Sequence, residues 1–202
     1  MGVQERSRTR MDARRDTGPL SATPRLRRPR NRTATEAAMG MPFTHREPAP
    51  FDDDAADVTL PCFNADVARR LGEIATNLAR RRGQPIAVGI VGTHAPLFYC
   101  ALDGSGAADC EAIRRRQNTV LRFALSSRAV GATFRRTGQS LQSLGLSDDD
   151  YALDGGGVPL RIAGARLVGA LAIAGLDAER NHALAVESLR WHVGAHALAI
   201  GA

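Results

Sequence analysis

The chain contains no lysine, so all 27 of its Lys and Arg residues are arginine. Together with the abundance of alanine and glycine, this indicates coding bias rather than selection for contacts with phosphate. The formal net charge of +6 is unevenly distributed, because residues 1–50 carry 11 arginines and five acids whereas residues 51–202 carry 16 of each. The globular part is electrically balanced, so nucleic-acid binding is not expected there and would involve only the N-terminal arm.

Cysteine and long apolar runs are also scarce. The three cysteines, Cys62, Cys100 and Cys110, form no CxxC motif, and an odd number argues against a closed disulfide framework. A reduced, cytoplasmic setting is therefore expected. The longest apolar run covers residues 167–176, well short of the roughly 18 residues that span a bilayer. The sequence predicts no membrane segment.

No catalytic constellation can be assembled from the residue types present. Ser126 and Ser127 lack an evident histidine partner, as do the cysteines, so a hydrolase is not expected. The five histidines are scattered, and although His192 and His196 stand four residues apart, the motif HVGAH lacks the glutamate of a metalloprotease. The sequence predicts no metal site and leaves open whether the protein is an enzyme.

The first 55 residues lack a sustained apolar period. Prolines at positions 19, 24, 29, 42, 48 and 50 interrupt every candidate element, which is typical of disorder. We predict a disordered Arg/Pro-rich N-terminal extension over residues 1–55 and a single folded domain over residues 56–202. Two interpretations of the extension stay open: a basic arm that contacts an acidic partner, or an upstream extension with Met39 or Met41 as the working start.

The stretch 155–175, GGGVPLRIAGARLVGALAIAG, predicts a β-hairpin at the centre of a sheet. Val158, Leu160 and Ile162 alternate as in a strand, and Gly164 offers the positive φ of a tight turn. Residues 167–173 continue as a second strand that is apolar on both faces, and such a strand is covered on both sides. The hairpin therefore predicts a sheet between two layers of helices.

Helices and one further hairpin surround this centre. The first helix is predicted to begin at Asn64 and to end at Gly83, with one apolar face of Val67, Leu71, Ile74 and Leu78. A hairpin over residues 86–102 follows. Two further helices are predicted over about 110–125, with Asp109 as N-cap, and onward to about residue 136. Asp177 is predicted to cap the last helix.

The second of these helices carries a polar stripe made of Arg115, Asn118, Thr119, Arg122 and Ser126. One interpretation is a solvated face without function. The other is a groove wall, in which two guanidinium groups about two turns apart hold carboxylates or propionates. The residues alone leave both interpretations open.

Four segments in this order resemble the GlcG/HbpS-like haem-degrading domain family, in its small stand-alone branch. They are RRRQNTVLRFALSS at 114–127, DYALDGGGVPLRI at 150–162, GALAIAGL at 169–176 and HALAVESL at 182–189. The resemblance covers roughly residues 62–195. It implies an α/β (α+β) fold of the profilin-like, GlcG-like kind, with an antiparallel sheet of about five strands between helices, and it implies symmetric homo-oligomers.

The resemblance also implies haem or a related tetrapyrrole as ligand. The candidate ligand-binding residues are then Arg115, Asn118, Arg122 and Ser126 in a groove at or near a subunit boundary, with His182 or Tyr99 near the iron. The chain departs from the branch in two places. Asp154 stands where the branch tends to have a histidine before the double glycine, and Tyr99 where it tends to have another.

Two functions of different classes follow from these observations. The first is a haem-binding or haem-degrading protein. The second is a non-catalytic oligomeric scaffold, accessory or adaptor protein without haem, in which the polar stripe makes subunit contacts. His182 lies on an apolar helix face, where a histidine is also compatible with a core role, and His94 is expected to be solvated in a hairpin turn.

Overall fold

The structure, a computed structural model, describes residues 55, 57–164 and 166–200, with side chains up to residue 196. Apart from Ala55, the extension predicted over residues 1–55 lies outside the described residues. The strands are β1 (Thr59–Leu60), β2 (Ala87–Gly92), β3 (Pro96–Ala101), β4 (Gly157–Ile162) and β5 (Arg166–Ala174). The helices are α1 (Ala65–Arg81), α2 (Ala107–Phe123), α3 (Ser127–Thr137) and α4 (Ala178–Ile200), with one 3-10 turn at Gln142–Leu144.

The five strands form one sheet in the order β1-β4-β5-β2-β3. The β2–β3, β2–β5 and β4–β5 pairs are antiparallel, as expected. The short strand β1 is the exception in this mostly antiparallel sheet, because Thr59 and Leu60 pair in parallel with Arg161 and Ile162 of β4. Two residues are too few to show an alternating pattern, which is why the sequence does not reveal this strand.

The central hairpin forms as predicted from its pattern. Gly164 has a φ of 79° in the turn between β4 and β5, a conformation that glycine adopts at little cost. Leu171 and Ile173 belong to the larger apolar cluster, and Ala172 and Ala174 belong to the smaller cluster on the other face. Both faces of β5 are therefore covered.

The two faces of the sheet are packed differently. On one face, α1 and α4 pack against the sheet through large aliphatic side chains, among them Leu71 of α1, Ile90 of β2 and Leu189 of α4. On the other face α2 lies close to the sheet, because Gly89 has no side chain: a Cβ there would lie 2.6 Å from Ile113 Cγ2. The small residues of β2 and β5 allow this close approach.

Local capping explains where the helices begin. Asn64 caps α1 as predicted, since its Oδ1 accepts a hydrogen bond from the Val67 N–H at 2.9 Å. Asp177 accepts from the Arg180 N–H at 2.8 Å at the start of α4. The predicted start of α2 is corrected: Gly106 is the N-cap, and Asp109 accepts from the Gly106 N–H at 2.8 Å. An aspartate at the third helical position reaches back to the cap in this way.

Candidate functional site

The polar stripe predicted on α2 mostly contacts the protein itself. Asn118 Nδ2 donates to the Asp150 carbonyl oxygen at 2.9 Å, and Arg115 Nη1 lies 3.4 Å from the Asp148 carbonyl oxygen. These bonds hold the loop before β4 against α2. Arg122, one turn further along, is exposed. Of this stripe, Arg122 is the cation that solvent reaches most freely.

Ser126 and Thr119, from the same stripe, are buried. Ser126 caps α3, and its Oγ accepts a hydrogen bond from the Ala129 N–H at 3.2 Å. Thr119 Oγ1 donates to the Ala152 carbonyl oxygen at 2.8 Å. A serine N-cap and a threonine that bonds a loop are structural devices, and neither hydroxyl is open to a ligand.

His182 lies away from the stripe. It belongs to the first turns of α4, on the opposite face of the sheet from α2, and is 1% exposed. Gly155 packs against the start of α4, because a Cβ on that glycine would lie 2.4 Å from the Ala178 carbonyl oxygen and 3.1 Å from His182 Cβ. A ligand could reach this imidazole only if α4 moved.

Tyr99 lies on the edge strand β3 and is 51% exposed. Its hydroxyl donates to Cys110 Sγ at 2.7 Å. This hydrogen bond, with smaller contributions from burial and nearby acidic groups, raises the pKa of Tyr99 to about 12. The phenolate, which is the form that ligates haem iron, is therefore disfavoured at neutral pH.

A polar centre that the sequence did not reveal lies where β4 begins and β5 ends. Arg116 is 5% exposed; it donates from Nη1 to the Ile173 carbonyl oxygen at 2.7 Å and forms an ion pair with Asp154. Ser127 Oγ accepts from the Gly157 N–H at 3.0 Å. We call Arg116, Ser127, Asp154 and residues 155–157 the glycine end. Arg116 was not part of the polar stripe predicted on α2, and its side chain is directed at the sheet.

The glycine end is tightly packed. Gly156 has a φ of 130°, and a Cβ there would lie 2.5 Å from the Ile173 carbonyl oxygen and 3.1 Å from Arg116 Nη1. The glycines let β4 pass between α2 and α4. This centre therefore joins three elements, and Arg116 and Ser127 are buried within it.

The opposite end of the sheet contains an open groove of about 540 Å³. It lies among the start of α1, the β2–β3 turn and the beginning of β5. We call it the groove end; its lining residues are Phe63, Asn64, Ala65, Gly92, Thr93, His94, Ala95, Leu97, Arg166, Leu167 and Val168. Ligand sites of small molecules commonly have volumes of about 300–1,000 Å³, so the groove has the size of a binding site.

The chemistry of the groove end combines apolar walls with two basic side chains. Phe63, Leu97 and Val168 pack against the core and line the groove. His94 and Arg166 are exposed and line it as well. An imidazole can ligate a metal and a guanidinium can hold a carboxylate. His94 lies in a turn and is exposed, as predicted, but the sequence did not show that two distant segments complete a groove around it.

Two smaller grooves, of about 360 and 390 Å³, lie between α1 and α4 on the outer surface. Trp191, which is 59% exposed, lines the first, and His192 and His196 line the second. Within the described residues, no group of three or more His, Cys, Asp and Glu side chains is arranged to hold a metal ion. None of the described helices has the length and apolar composition needed to cross a bilayer.

Known proteins are similar to this chain in both sequence and fold. Residues 63–190 match the model of the family described as haem degrading protein HbpS-like. A UPF0303 protein of Zymomonas mobilis is 39% identical over 136 residues, which are 67% of this chain and 73% of that protein.

Solved structures agree with the sequence comparison. The Ybr137w protein has a TM-score of 0.62 and 27% identity, over 70% of this chain and 86% of its own. The PduOC:heme complex has a TM-score of 0.56 and 18% identity, over 64% of this chain and 94% of its own. At the latter identity the likeness shows the fold alone.

Proposed function

Because the chain belongs to the family of HbpS-like haem-degrading proteins, we propose that its domain binds haem or a closely related tetrapyrrole at the groove end. The observation that supports this site is the groove itself, in which His94 and Arg166 border apolar walls. The solved haem complex of a protein with the same fold, PduOC, lends support to the ligand class.

The residues of the groove end fit the requirements of a tetrapyrrole. A macrocycle needs an apolar slot, its iron needs an axial ligand, and its propionates need a cation. Phe63, Leu97 and Val168 would contact the ring, His94 would ligate the iron and Arg166 would hold a propionate. Bound haem would supply an iron centre for ligand binding or redox chemistry.

The start of α1 adds to the attraction for an anion. Asn64 and Ala65, at the N-terminus of this helix of 17 residues, line the same groove. The N-terminal end of a helix carries a partial positive charge, which favours a carboxylate nearby. The helix end therefore reinforces the guanidinium of Arg166 rather than forming a site by itself.

The residues proposed from the sequence are less suited to hold the iron. His182 is buried on the inner side of α4, and the raised pKa of Tyr99 disfavours its phenolate. Arg122 is exposed on α2 and remains able to contact a propionate from outside. Replacing Arg122 therefore distinguishes ligand binding at α2 from ligand binding at the groove end.

A hemin titration of the full-length protein tests the proposal. We expect a shifted Soret band at stoichiometric protein, and at least tenfold weaker binding in both His94→Ala and Arg166→Ala. Arg122→Ala is the matched control at another exposed arginine and should bind as the wild type does.

Two results would contradict the proposal. If the wild-type protein leaves the spectrum of free hemin unchanged, the domain does not bind haem, and the scaffold alternative gains support. If His94→Ala binds normally while Arg122→Ala loses binding, the ligand contacts the α2 stripe instead of the groove end.

A further inference from the structure

We infer that the outer edge of β3 pairs with the same edge of a second copy, antiparallel, across a two-fold axis that passes between the two Cys100 residues. This inference concerns assembly and does not depend on haem binding. It gives the homo-oligomer predicted from the sequence a defined interface.

The hydrogen-bonding pattern identifies the groups on this edge. The Leu102 N–H donates to the Ile86 carbonyl oxygen at 2.8 Å. Residues opposite each other in an antiparallel pair alternate between bonded and non-bonded pairs. Cys100, opposite Val88, is therefore bonded to β2, whereas the N–H and C=O groups of Tyr99 and Ala101 point outward. Since β3 is the last strand of the sheet, no strand among the described residues lies beside these groups.

The edge lacks the features that usually prevent pairing between sheets. The sequence of β3, PLFYCA, contains no charged side chain, and its single proline stands at the first position. Natural edge strands are commonly protected by charges, prolines or shortness. The opposite edge is protected in this last way, because β1 has two residues. Two copies of β3 can approach each other without repulsion between like charges.

The bulge in β3 selects one register. Ile90 pairs with Phe98 and Val91 with Pro96, so Leu97 is the extra residue of the bulge. A two-fold axis at Tyr99 would pair Leu97 with Ala101 of the second copy, and a bulged residue departs from the regular ladder. An axis at Cys100 instead pairs Tyr99 with Ala101 of the second copy, and uses the four outward groups of each strand.

This register has a chemical consequence. Opposite residues in a non-bonded antiparallel pair have Cα atoms about 4.5 Å apart, a separation that permits a disulfide. The two Cys100 thiols would therefore face each other. Cys110 lies on α2, where it accepts the hydrogen bond of Tyr99, so it is not one of the residues that the paired strands place opposite each other.

Cysteine cross-linking of the full-length protein tests the interface. Diamide takes two hydrogen atoms from a pair of thiols and leaves a disulfide. Cys62→Ser/Cys110→Ser keeps Cys100 alone, and Cys62→Ser/Cys100→Ser keeps Cys110 alone. We expect the first variant to form covalent dimers at least tenfold faster than the second. Equal rates, or faster linkage through Cys110, would overturn the inference.

A substitution that removes one backbone N–H group tests the same interface without covalent cross-linking. Ala101→Pro removes an N–H that the β2–β3 ladder does not use, so the monomer should keep its circular dichroism. We expect the mass from light scattering to fall at least twofold, whereas the control Ala101→Val, which keeps the N–H, should retain the wild-type mass. A folded Ala101→Pro protein of unchanged mass would overturn the inference. If Ala101→Pro does not fold, the cross-linking rates decide.

Discussion

The two ends of the sheet contain similar chemical groups but use them in opposite ways. At the glycine end, Arg116 is bonded to Asp154 and to the Ile173 carbonyl oxygen, and three glycines let the surrounding elements close over it. At the groove end, Arg166 and His94 border about 540 Å³ of open space. A basic side chain is thus a structural link at one end and a candidate ligand contact at the other.

The difference shows why polar residues in a recognisable motif need not form a site. The segments that carry the family resemblance include Arg116, Ser127 and residues 155–157. In the structure these residues bond one another and the backbone. Buried polar groups must be hydrogen-bonded to be tolerated, so they have little capacity left for a ligand. Open space, rather than polarity, distinguishes the groove end.

The largest expected effect comes from adding a methyl group at each end. Gly156→Ala should lower the free energy of unfolding by about 3 kcal/mol, because its φ of 130° disfavours a side chain and the new Cβ meets the Ile173 oxygen. Gly164→Ala, in the hairpin turn, should lower the free energy of unfolding by only about 1 kcal/mol. Its φ of 79° disfavours a side chain, but nothing lies within 4 Å of the new Cβ. Urea unfolding of both variants measures the contrast, and equal losses would contradict the tight packing described.

Replacing an arginine with methionine should have the next largest effect. Arg116→Met should lower the free energy of unfolding by about 2–3 kcal/mol, because it leaves the Ile173 oxygen without its donor. Loss of one partner of a fully buried pair costs about 3–5 kcal/mol, but solvent reaches the Asp154 carboxylate and reduces this value. Arg122→Met, the exposed control, should stay within about 0.5 kcal/mol. Equal effects would mean that the Arg116 bonds do not support the fold.

A smaller effect concerns the reason for preferring His94 to Tyr99 as the iron ligand. Cys110→Ala removes the hydrogen bond that raises the pKa of Tyr99 to about 12, so this pKa should fall toward the ordinary value of about 10. Ultraviolet absorbance of the phenolate during an alkaline titration measures the change, with Cys62→Ala as control. An unchanged titration in Cys110→Ala would remove this argument against Tyr99.

The smallest effect belongs to a histidine, His192, that lines neither end. Burial, followed by repulsion from His196 and Arg70, lowers the pKa of His192, and Glu73 lines the same groove. The unfolded chain therefore binds the proton more tightly than the folded one, and stability should decline as the pH falls below about 6.5. His192→Gln should make this decline shallower in urea unfolding between neutral and mildly acidic pH. An identical slope in the variant would show that His192 does not contribute.

Much of the fold could be predicted from local patterns. The cap at Asn64, the turn at Gly164 and the two apolar faces of β5 depend on neighbouring residues, and the structure contains them all. The parallel pairing of β1 and the burial of Arg116 depend on contacts with residues far away in the chain. Periodicity along one segment carries no information about such contacts.

The groove end was harder to predict for the same reason. Its walls come from residues 63–65, 92–97 and 166–168, which no single motif connects. His94 and Arg166 look like ordinary turn residues in the sequence. Only the register of the sheet, which brings Gly92 opposite Gly169, places their two turns at one end.

The most direct test compares hemin binding by three proteins: the wild type, His94→Ala at the groove end and Arg116→Met at the glycine end. We expect Arg116→Met, although less stable, to bind hemin with the wild-type affinity at a temperature where it is folded. His94→Ala should keep wild-type stability within about 0.5 kcal/mol and bind at least tenfold more weakly. Lost binding in Arg116→Met together with normal binding in His94→Ala would contradict the assignment of the ligand site to the groove end.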